Sequence, residues 1–210
     1  MPKLKDFGLY FITDSRLTRK TVVEDVKSAI KGGVKIIQYR EKGASKEQML
    51  VEAKEIKNLC KKNNVIFLVN DGVDIALAAD ADGVHLGQDD LSYETARKLL
   101  GKNKIIGLTA HNVKESVEAE KLGADYIGLS PIFPTNTKSD AGKACGTEMI
   151  AQVKKHVKIP IVAIGGINES NIGQVLKAGA RNMAIISAIL TKDDVGKAVR
   201  GFQMIINTYK

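Results

Sequence analysis

Three polar residues at alternate positions, Gln38, Arg40 and Lys42, follow an apolar run that begins at Val34. If residues 34–42 form a strand, these side chains share one face, which changes from apolar to cationic along its length. A parallel barrel strand ends in this way, because its lower part packs in the core and its carboxyl end carries the chemistry. A planar guanidinium and a compact ammonium suit an oxygen-rich anion, so we expect an anion site here. The alternative is a solvated strand end.

Carboxylates and an amide follow the next two apolar runs. Asn70 and Asp71 come after the first, and Asp89 and Asp90 come after the second. Such oxygen ligands can hold Mg²⁺ together with phosphate oxygens, or they can cap the helices that follow. The neighbouring cationic strand favours a magnesium-assisted diphosphate site.

The next run ends in Thr109, whose hydroxyl can bond a ligand, and Asn112 is placed to cap the following helix. His111 fits either a base or a structural role. The sequence predicts that His85 is packed and hydrogen-bonded, and that His156 lies on the surface.

The longest predicted loop, residues 130–146, follows the sixth apolar run. Loops of this length are often binding segments or lids. Two prolines stiffen its first half, which carries Thr135, Thr137 and Lys138, and glycines and alanines in its second half predict a mobile closing segment. After the last two strands, Gly165-Gly166 and Ser187 are typical of a backbone phosphate site. Two anion sites in one pocket indicate group transfer.

Eight short β-branched runs alternate with amphipathic helical patterns along the chain, which predicts a single-domain (β/α)₈ TIM barrel over residues 1–210. Glycines between several helical patterns and the next strand predict left-handed helix ends. The predicted strands are Leu9–Thr13, Val34–Arg40, Val65–Val69, Gly83–Leu86, Lys104–Thr109, Tyr126–Leu129, Ile161–Ile164 and Met183–Ile186.

The composition indicates a globular cytoplasmic protein: 44% of residues are hydrophobic, and no apolar run is long enough to cross a bilayer. The net charge is +8, but the lysines are spread over predicted helices and Trp is absent, which argues against a nucleic-acid partner. Small phosphorylated substrates account better for the positive charge. Cys60 and Cys145 have no metal-ligand spacing and are interpreted as thiols. A homo-oligomer is left open.

Long motifs in order, among them LYFITD, VKIIQYREKGAS, VHLGQDDL, GLSPIFPTNTK and IPIVAIGGIN, make the chain resemble the thiamine-phosphate synthase family over nearly its whole length. Members join a hydroxymethylpyrimidine diphosphate to a thiazole phosphate and release pyrophosphate. The resemblance implies one Mg²⁺ held by Asp71 and Asp90. It implies catalytic roles for Arg40, Lys42 and Lys138.

Substrate contacts are implied in the same way. Those of the pyrimidine diphosphate fall on Gln38, Tyr39, Arg40, Glu41, Lys42, Asn70, Thr109 and Lys138. Those of the thiazole phosphate fall on Thr135, Asn136, Thr137, Gly166, Ile186 and Ser187.

The implied mechanism is dissociative: pyrophosphate departs, and the thiazole nitrogen attacks the cation-like methylene without a general base. On this basis we expect Arg40→Ala to lower turnover with little loss of fold. The chain departs from the family at Thr109, where serine is common, at Gly72, where a larger polar residue is frequent, and in residues 140–146, where a proline-containing form is commoner.

Three other functions are compatible with parts of the sequence. A thiazole tautomerase on the same barrel depends on a histidine, for which His111 is the candidate, but would not need both the cationic strand and the two aspartates. A regulatory barrel would bind phosphates without turnover. A phosphosugar isomerase would need an acid/base pair that the sequence does not offer.

Overall fold

The computed structural model describes residues 4–138 and 141–209. Eight parallel strands form a closed barrel in sequential order, each hydrogen-bonded to the next and β8 to β1, which confirms the predicted fold. Each predicted strand is present, with shifts of only one or two residues at some ends. The strands are β1 Gly8–Ile12, β2 Ile36–Tyr39, β3 Ile66–Asn70, β4 Gly83–Leu86, β5 Ile105–Ala110, β6 Tyr126–Leu129, β7 Ile161–Ile164 and β8 Asn182–Ile185.

The barrel has two apolar cores that follow from side-chain alternation. Inward-facing residues such as Ile36, Leu68 and Val162 fill the interior, and outward-facing residues such as Ile37 and Phe67 pack with the helices in a larger core. The expectation that Val34 shares the face of Ile36 is wrong. Strand β2 begins only at Ile36, and Val34 belongs to the outer core.

Nine helices surround the described barrel. They are α1 Val22–Gly32, α2 Lys46–Lys62, α3 Val73–Ala78, α4 Tyr93–Leu100, α5 Val113–Leu122, α6 Glu148–Lys154, α7 Ile172–Lys177, α8 Ser187–Leu190 and α9 Val195–Asn207. Capping residues define both ends of helix α1. Thr21 and Glu24 form a capping box at its beginning. At its end Gly33 is left-handed with φ of 97°, as predicted.

The loop after β6 packs onto the barrel rim through its backbone. Ile132 N–H donates to the Ile164 carbonyl at 2.8 Å, and Cys145 N–H donates back to the Pro131 carbonyl at 2.8 Å. Ser139 and Asp140, which belong to the predicted lid, lie outside the described residues. The mobility of the lid therefore stays a prediction.

Two further expectations bear on the class of protein. Within the described ranges, each helix is too short or too polar to traverse a lipid bilayer. Cys60 is buried, Cys145 is half-buried, and both are free thiols, as expected.

Candidate active site

A cavity opens at the carboxyl ends of the strands, where a TIM barrel carries its chemistry. Most of the residues predicted to bind substrate line it, and they come from strand ends far apart in the sequence. Its lining consists of Ile12, Gln38, Arg40, Asn70, Asp71, His85, Gly87, Thr109, His111, Ser130, Thr135, Thr137, Lys138, Ala141, Ile164, Gly165, Gly166, Ile167, Ala184, Ile185, Ile186 and Ser187.

Arg40 is held by a carboxylate that the sequence did not single out. Its guanidinium donates to Asp14 Oδ2 at 2.5 Å, and both side chains are buried. Arg16 forms a bidentate pair with the same carboxylate at 2.9 and 2.7 Å, and also donates to the Thr137 carbonyl at 3.1 Å. Burial alone would raise the pKa of Asp14, but Arg16 and Arg40 outweigh it and hold the pKa below its usual value.

The two predicted magnesium ligands meet beside Lys42. The Lys42 ammonium lies 2.8 Å from Asp71 Oδ2, and the Gly87 N–H donates to Asp90 Oδ2 at 2.6 Å. Burial, followed by a hydrogen bond to the neighbouring Asp71 carboxyl, raises the pKa of Asp90. Asp71 and Asp90 are therefore neighbours, and Asp71 lines the cavity.

The alternative interpretation of these carboxylates, helix capping, is wrong. Helix α3 begins after Gly72 without a side-chain cap, and α4 is capped by the Ser92 hydroxyl. Asp71 has instead a left-handed backbone with φ of 59°, which is uncommon for a residue other than glycine. The uncommon backbone conformation therefore occurs at a residue that lines the cavity.

The donor set fits a hard cation. No group of three or more His, Cys, Asp or Glu within residues 4–138 and 141–209 is arranged to hold a metal ion. Mg²⁺, however, is often bound by one or two carboxylates, with water and substrate phosphate completing its shell. The neighbouring Asp71 and Asp90 carboxyls match that pattern.

The opposite side of the cavity carries no charged side chain among its described lining after β7 and β8. Gly165 and Gly166 are left-handed, with φ of 100° and 64°. A Cβ on Gly165 would lie 2.6 Å from Pro131 Cβ, and one on Gly166 would lie 2.6 Å from the Pro134 carbonyl oxygen. The glycines are thus required first by the close approach of the β6 loop, a reason that the sequence did not indicate.

Four of the predicted substrate residues lie outside the cavity lining, and one of them, Lys42, reaches it only through its ion pair with the lining residue Asp71. Tyr39 points outward to α2, where its hydroxyl donates to Glu52 at 2.7 Å, because alternate residues of β2 face opposite sides of the barrel wall. Glu41 accepts from the backbone N–H groups of Lys42 and Gly43 and so shapes the turn. Asn136 is exposed.

The histidines have structural hydrogen bonds. His111 Nδ1 lies 2.8 Å from Glu115, and Asn112 caps α5, as its position predicted. His85 is buried and bonded through both ring nitrogens, and His156 is exposed, so the interpretations of both residues are confirmed.

Fold and cavity together define a (β/α)₈ barrel enzyme with a cationic and a neutral region facing one pocket. Comparison with known proteins gives the family. A family model described as thiamine monophosphate synthase matches residues 9–189. The thiamine-phosphate synthase of Methanosarcina mazei is 53% identical over 207 residues, which cover 99% of this chain and 86% of that protein. That of Methanosarcina barkeri is 51% identical over 208 residues, covering 99% and 94%.

A solved structure agrees. The thiamine phosphate pyrophosphorylase from Pyrococcus furiosus superposes with a TM-score of 0.90 at 42% identity, over 97% of both chains. The chain therefore belongs to the thiamine monophosphate synthase family. The predicted activity, that of a thiamine-phosphate synthase and hence of a transferase, is confirmed by these matches.

Proposed function

We propose that this cavity joins 4-amino-2-methyl-5-(diphosphooxymethyl)pyrimidine to 4-methyl-5-(2-phosphoethyl)thiazole, giving thiamine phosphate and pyrophosphate. The observation that carries the assignment is the division of the cavity. Arg40 and Asp71 line one side, with Lys42 and Asp90 next to Asp71, and a neutral backbone surface lies on the other side. A diphosphate carries more negative charge than a monophosphate and suits the charged side.

The pyrimidine diphosphate would contact Gln38, Arg40, Lys42, Asn70, Thr109 and Lys138. The thiazole phosphate would contact Thr135, Thr137, Gly166, Ile186 and Ser187. Asp71 and Asp90 would hold one Mg²⁺, which when bound supplies positive charge to the diphosphate. Tyr39 and Glu41 act through the scaffold, since their side chains bond α2 and the turn after β2 instead of lining the cavity.

The proposed transfer needs no reactant other than the two substrates. The C–O bond between the pyrimidine methylene and the diphosphate breaks, and its electron pair leaves with pyrophosphate. Arg40, Lys42 and Lys138 stabilise the negative charge that grows on this leaving group. The lone pair of the thiazole nitrogen then forms the new C–N bond. That nitrogen carries no proton, so the reaction requires no general base, and the hydrogen-bonded states of His85 and His111 are compatible with this.

The test is pyrophosphate release by the purified chain, given both substrates with and without Mg²⁺. We expect release only when both substrates and Mg²⁺ are present. Release without the thiazole phosphate would contradict the transfer, and isomerisation of the thiazole phosphate without release would identify a tautomerase. Binding of both phosphates without any product would identify a regulatory barrel.

A pair of lysine variants tests the charged side. Lys42 and Lys46 each pair with an aspartate, Asp71 and Asp74, at 2.8 and 2.6 Å, but only the first pair lies at the cavity. We expect Lys42→Ala to lower turnover by about 10-fold or more, since it removes a charge-stabilising donor, and Lys46→Ala to leave turnover unchanged. Equal effects of the two substitutions would remove Lys42 from the site.

A further inference from the structure

A continuous hydrogen-bonded chain of five side chains runs through the upper barrel interior and ends at two cavity residues. Gln38 Nε2 donates to the Tyr10 hydroxyl at 2.9 Å, and the Tyr10 and Tyr126 hydroxyls are 3.0 Å apart. His85 Nδ1 lies 2.9 Å from the Tyr126 hydroxyl, and His85 Nε2 lies 3.0 Å from Thr109 Oγ1. We call these five residues the buried relay.

The strands are built to accommodate the relay. The His85 and Tyr126 rings stack with centroids 5.5 Å apart. A Cβ on Gly107 would lie 2.0 Å from Tyr126 Cζ, and a Cβ on Gly128 would lie 2.7 Å from His85 Cε1. Two inward-facing glycines therefore leave room for two polar rings where other strands place apolar side chains.

Every relay group in the interior is neutral, so each bond has one donor and one acceptor. The Tyr10, Tyr126 and His85 side chains are buried and hydrogen-bond only to uncharged groups, so a charged form of any of them would have no bonded counter-charge. An amide nitrogen can only donate. Because Gln38 donates to Tyr10, Tyr10 donates to Tyr126, Tyr126 donates to Nδ1 of His85, and Nε2–H of His85 donates to Thr109.

The direction of the chain determines what its two ends offer a ligand. Gln38 uses one of its two N–H groups on Tyr10, which fixes the amide nitrogen toward the relay and leaves the amide oxygen as the acceptor that it presents. Thr109 Oγ1 accepts from His85, so its own proton is the donor that it presents. Both residues line the cavity, on strands β2 and β5, which lie on different sides of the barrel.

We infer that the buried relay determines substrate specificity, by fixing Gln38 as an acceptor and Thr109 as a donor on opposite edges of the bound ring. The inference rests on the proposed function and extends it to Tyr10, Tyr126 and His85, which are positioning residues. A 4-aminopyrimidine presents the matching pattern, since its amine donates and the ring nitrogen across from the amine-bearing carbon accepts. A 4-oxo analogue places an acceptor in front of the Gln38 oxygen and is rejected.

The experiment compares pyrophosphate release from the 4-amino substrate and its 4-oxo analogue. For the unaltered chain we expect kcat/KM to favour the amino compound by roughly 10²-fold or more, because a buried mismatch leaves polar groups unpaired. Tyr126→Phe divides the relay into two halves whose directions are no longer coupled. We expect it to lower this selectivity by about 10-fold or more, with an unchanged KM for the thiazole phosphate.

Tyr93→Phe is the matched control, since it also removes a phenolic hydroxyl. That hydroxyl donates to the Gly123 carbonyl at a distance of 2.8 Å, and Tyr93 does not line the cavity. We expect its selectivity to equal that of the unaltered chain. Unchanged selectivity in an active Tyr126→Phe variant would overturn the inference while leaving the proposed function intact. Absence of pyrophosphate release by the unaltered chain would instead contradict the proposed function.

A second measurement does not depend on any variant folding or on activity. Proton–nitrogen correlation spectra of the ¹⁵N-histidine-labelled chain report which ring nitrogen of His85 carries the proton. The relay requires the proton on Nε2 and none on Nδ1, because Nδ1 accepts from Tyr126 and Nε2 donates to Thr109. A proton on Nδ1 would reverse the chain and overturn the inference.

Discussion

The two sides of the cavity are built by different means. The charged half, formed by Asp14, Arg40, Lys42, Asp71 and Asp90, holds its side chains in place with ion pairs and, at Asp90, with a backbone hydrogen bond from Gly87. The neutral half, formed by Gly165, Gly166, Ile186 and Ser187, relies on backbone shape and on the packing of the β6 loop. Negative charge develops on the diphosphate as it leaves, so it requires cationic groups that are already in position. The thiazole phosphate keeps its charge throughout, so it requires only a surface of complementary shape. Substitutions in the two halves should therefore affect different kinetic constants.

The largest effect is expected from Arg40→Ala in the charged half. Turnover should fall by about 10²- to 10³-fold, because a preorganised donor to the leaving group is lost. Little loss of fold was expected from the sequence, and the structure adds a reason to expect some loss of stability beside the loss of turnover. Arg40 is 7% exposed and pairs with Asp14, which is 2% exposed, so a buried carboxylate would lose a partner.

A control separates the two consequences of Arg40→Ala. Arg97 pairs with Asp125 at 3.1 Å and is partly buried, but it lies on α4, away from the cavity. Arg97→Ala should lower the melting temperature without lowering turnover. If Arg40→Ala also changed only the melting temperature, Arg40 would have no part in the reaction.

Asp71→Asn should have the next largest effect. The amide keeps the left-handed backbone but removes a charged ligand, so the magnesium concentration for half-maximal pyrophosphate release should rise by roughly 10- to 100-fold. Asp74→Asn, which removes an exposed carboxylate paired with Lys46, is the control and should leave that concentration unchanged. An unaltered magnesium requirement in Asp71→Asn would argue against a metal at this position.

Gly166→Ala should affect the neutral half and raise the KM for thiazole phosphate with a smaller change in kcat. Gly101→Ala is its control: both glycines are left-handed, with φ of 64° and 74°, but nothing lies within 4 Å of a Cβ at Gly101. Both variants should lose about 1–2 kcal/mol from the strained backbone. Only Gly166→Ala should displace the β6 loop, and an equal KM in the two variants would show that the loop contact is not needed.

The smallest effect concerns acid stability. The pKa of Asp14 is lowered in the folded chain, so its stabilising contribution is complete above the unfolded value of about 4 and is lost as the pH falls through the folded value. The stability difference between the unaltered chain and Asp14→Asn should be constant above about pH 5 and decrease below about pH 4. Chemical denaturation across this range measures it, and a difference that grew toward low pH would contradict the sign.

Local patterns were sufficient to predict the fold. Each strand is short, apolar and separated by an amphipathic helix, so sequence alternation alone located all eight strands. The same alternation predicted that Gln38 and Arg40 face the cavity, and it should have placed Tyr39 outside, where the structure has it.

Contacts between distant strands were beyond the reach of local patterns. The Asp14 pair with Arg40 depends on the ends of β1 and β2 meeting, and the two residues are 26 positions apart. Tyr10 and Tyr126 are 116 positions apart and meet only because the barrel closes. In the sequence, each tyrosine has only the features of a common strand residue, and nothing marks its hydroxyl as part of a hydrogen-bonded pair. No spacing rule connects such residues before the barrel is assembled.

Position 71 has two separate requirements, one on the backbone conformation and one on the charge of the side chain. A left-handed backbone with φ of 59° is tolerated by glycine, asparagine and aspartate and by few other residues. Of these three, only aspartate supplies a carboxylate to pair with Lys42. Glutamate would restore the charge and strain the chain, while asparagine would fit the chain and lose the charge. Among these residues, only aspartate therefore satisfies both the backbone and the ion pair at position 71.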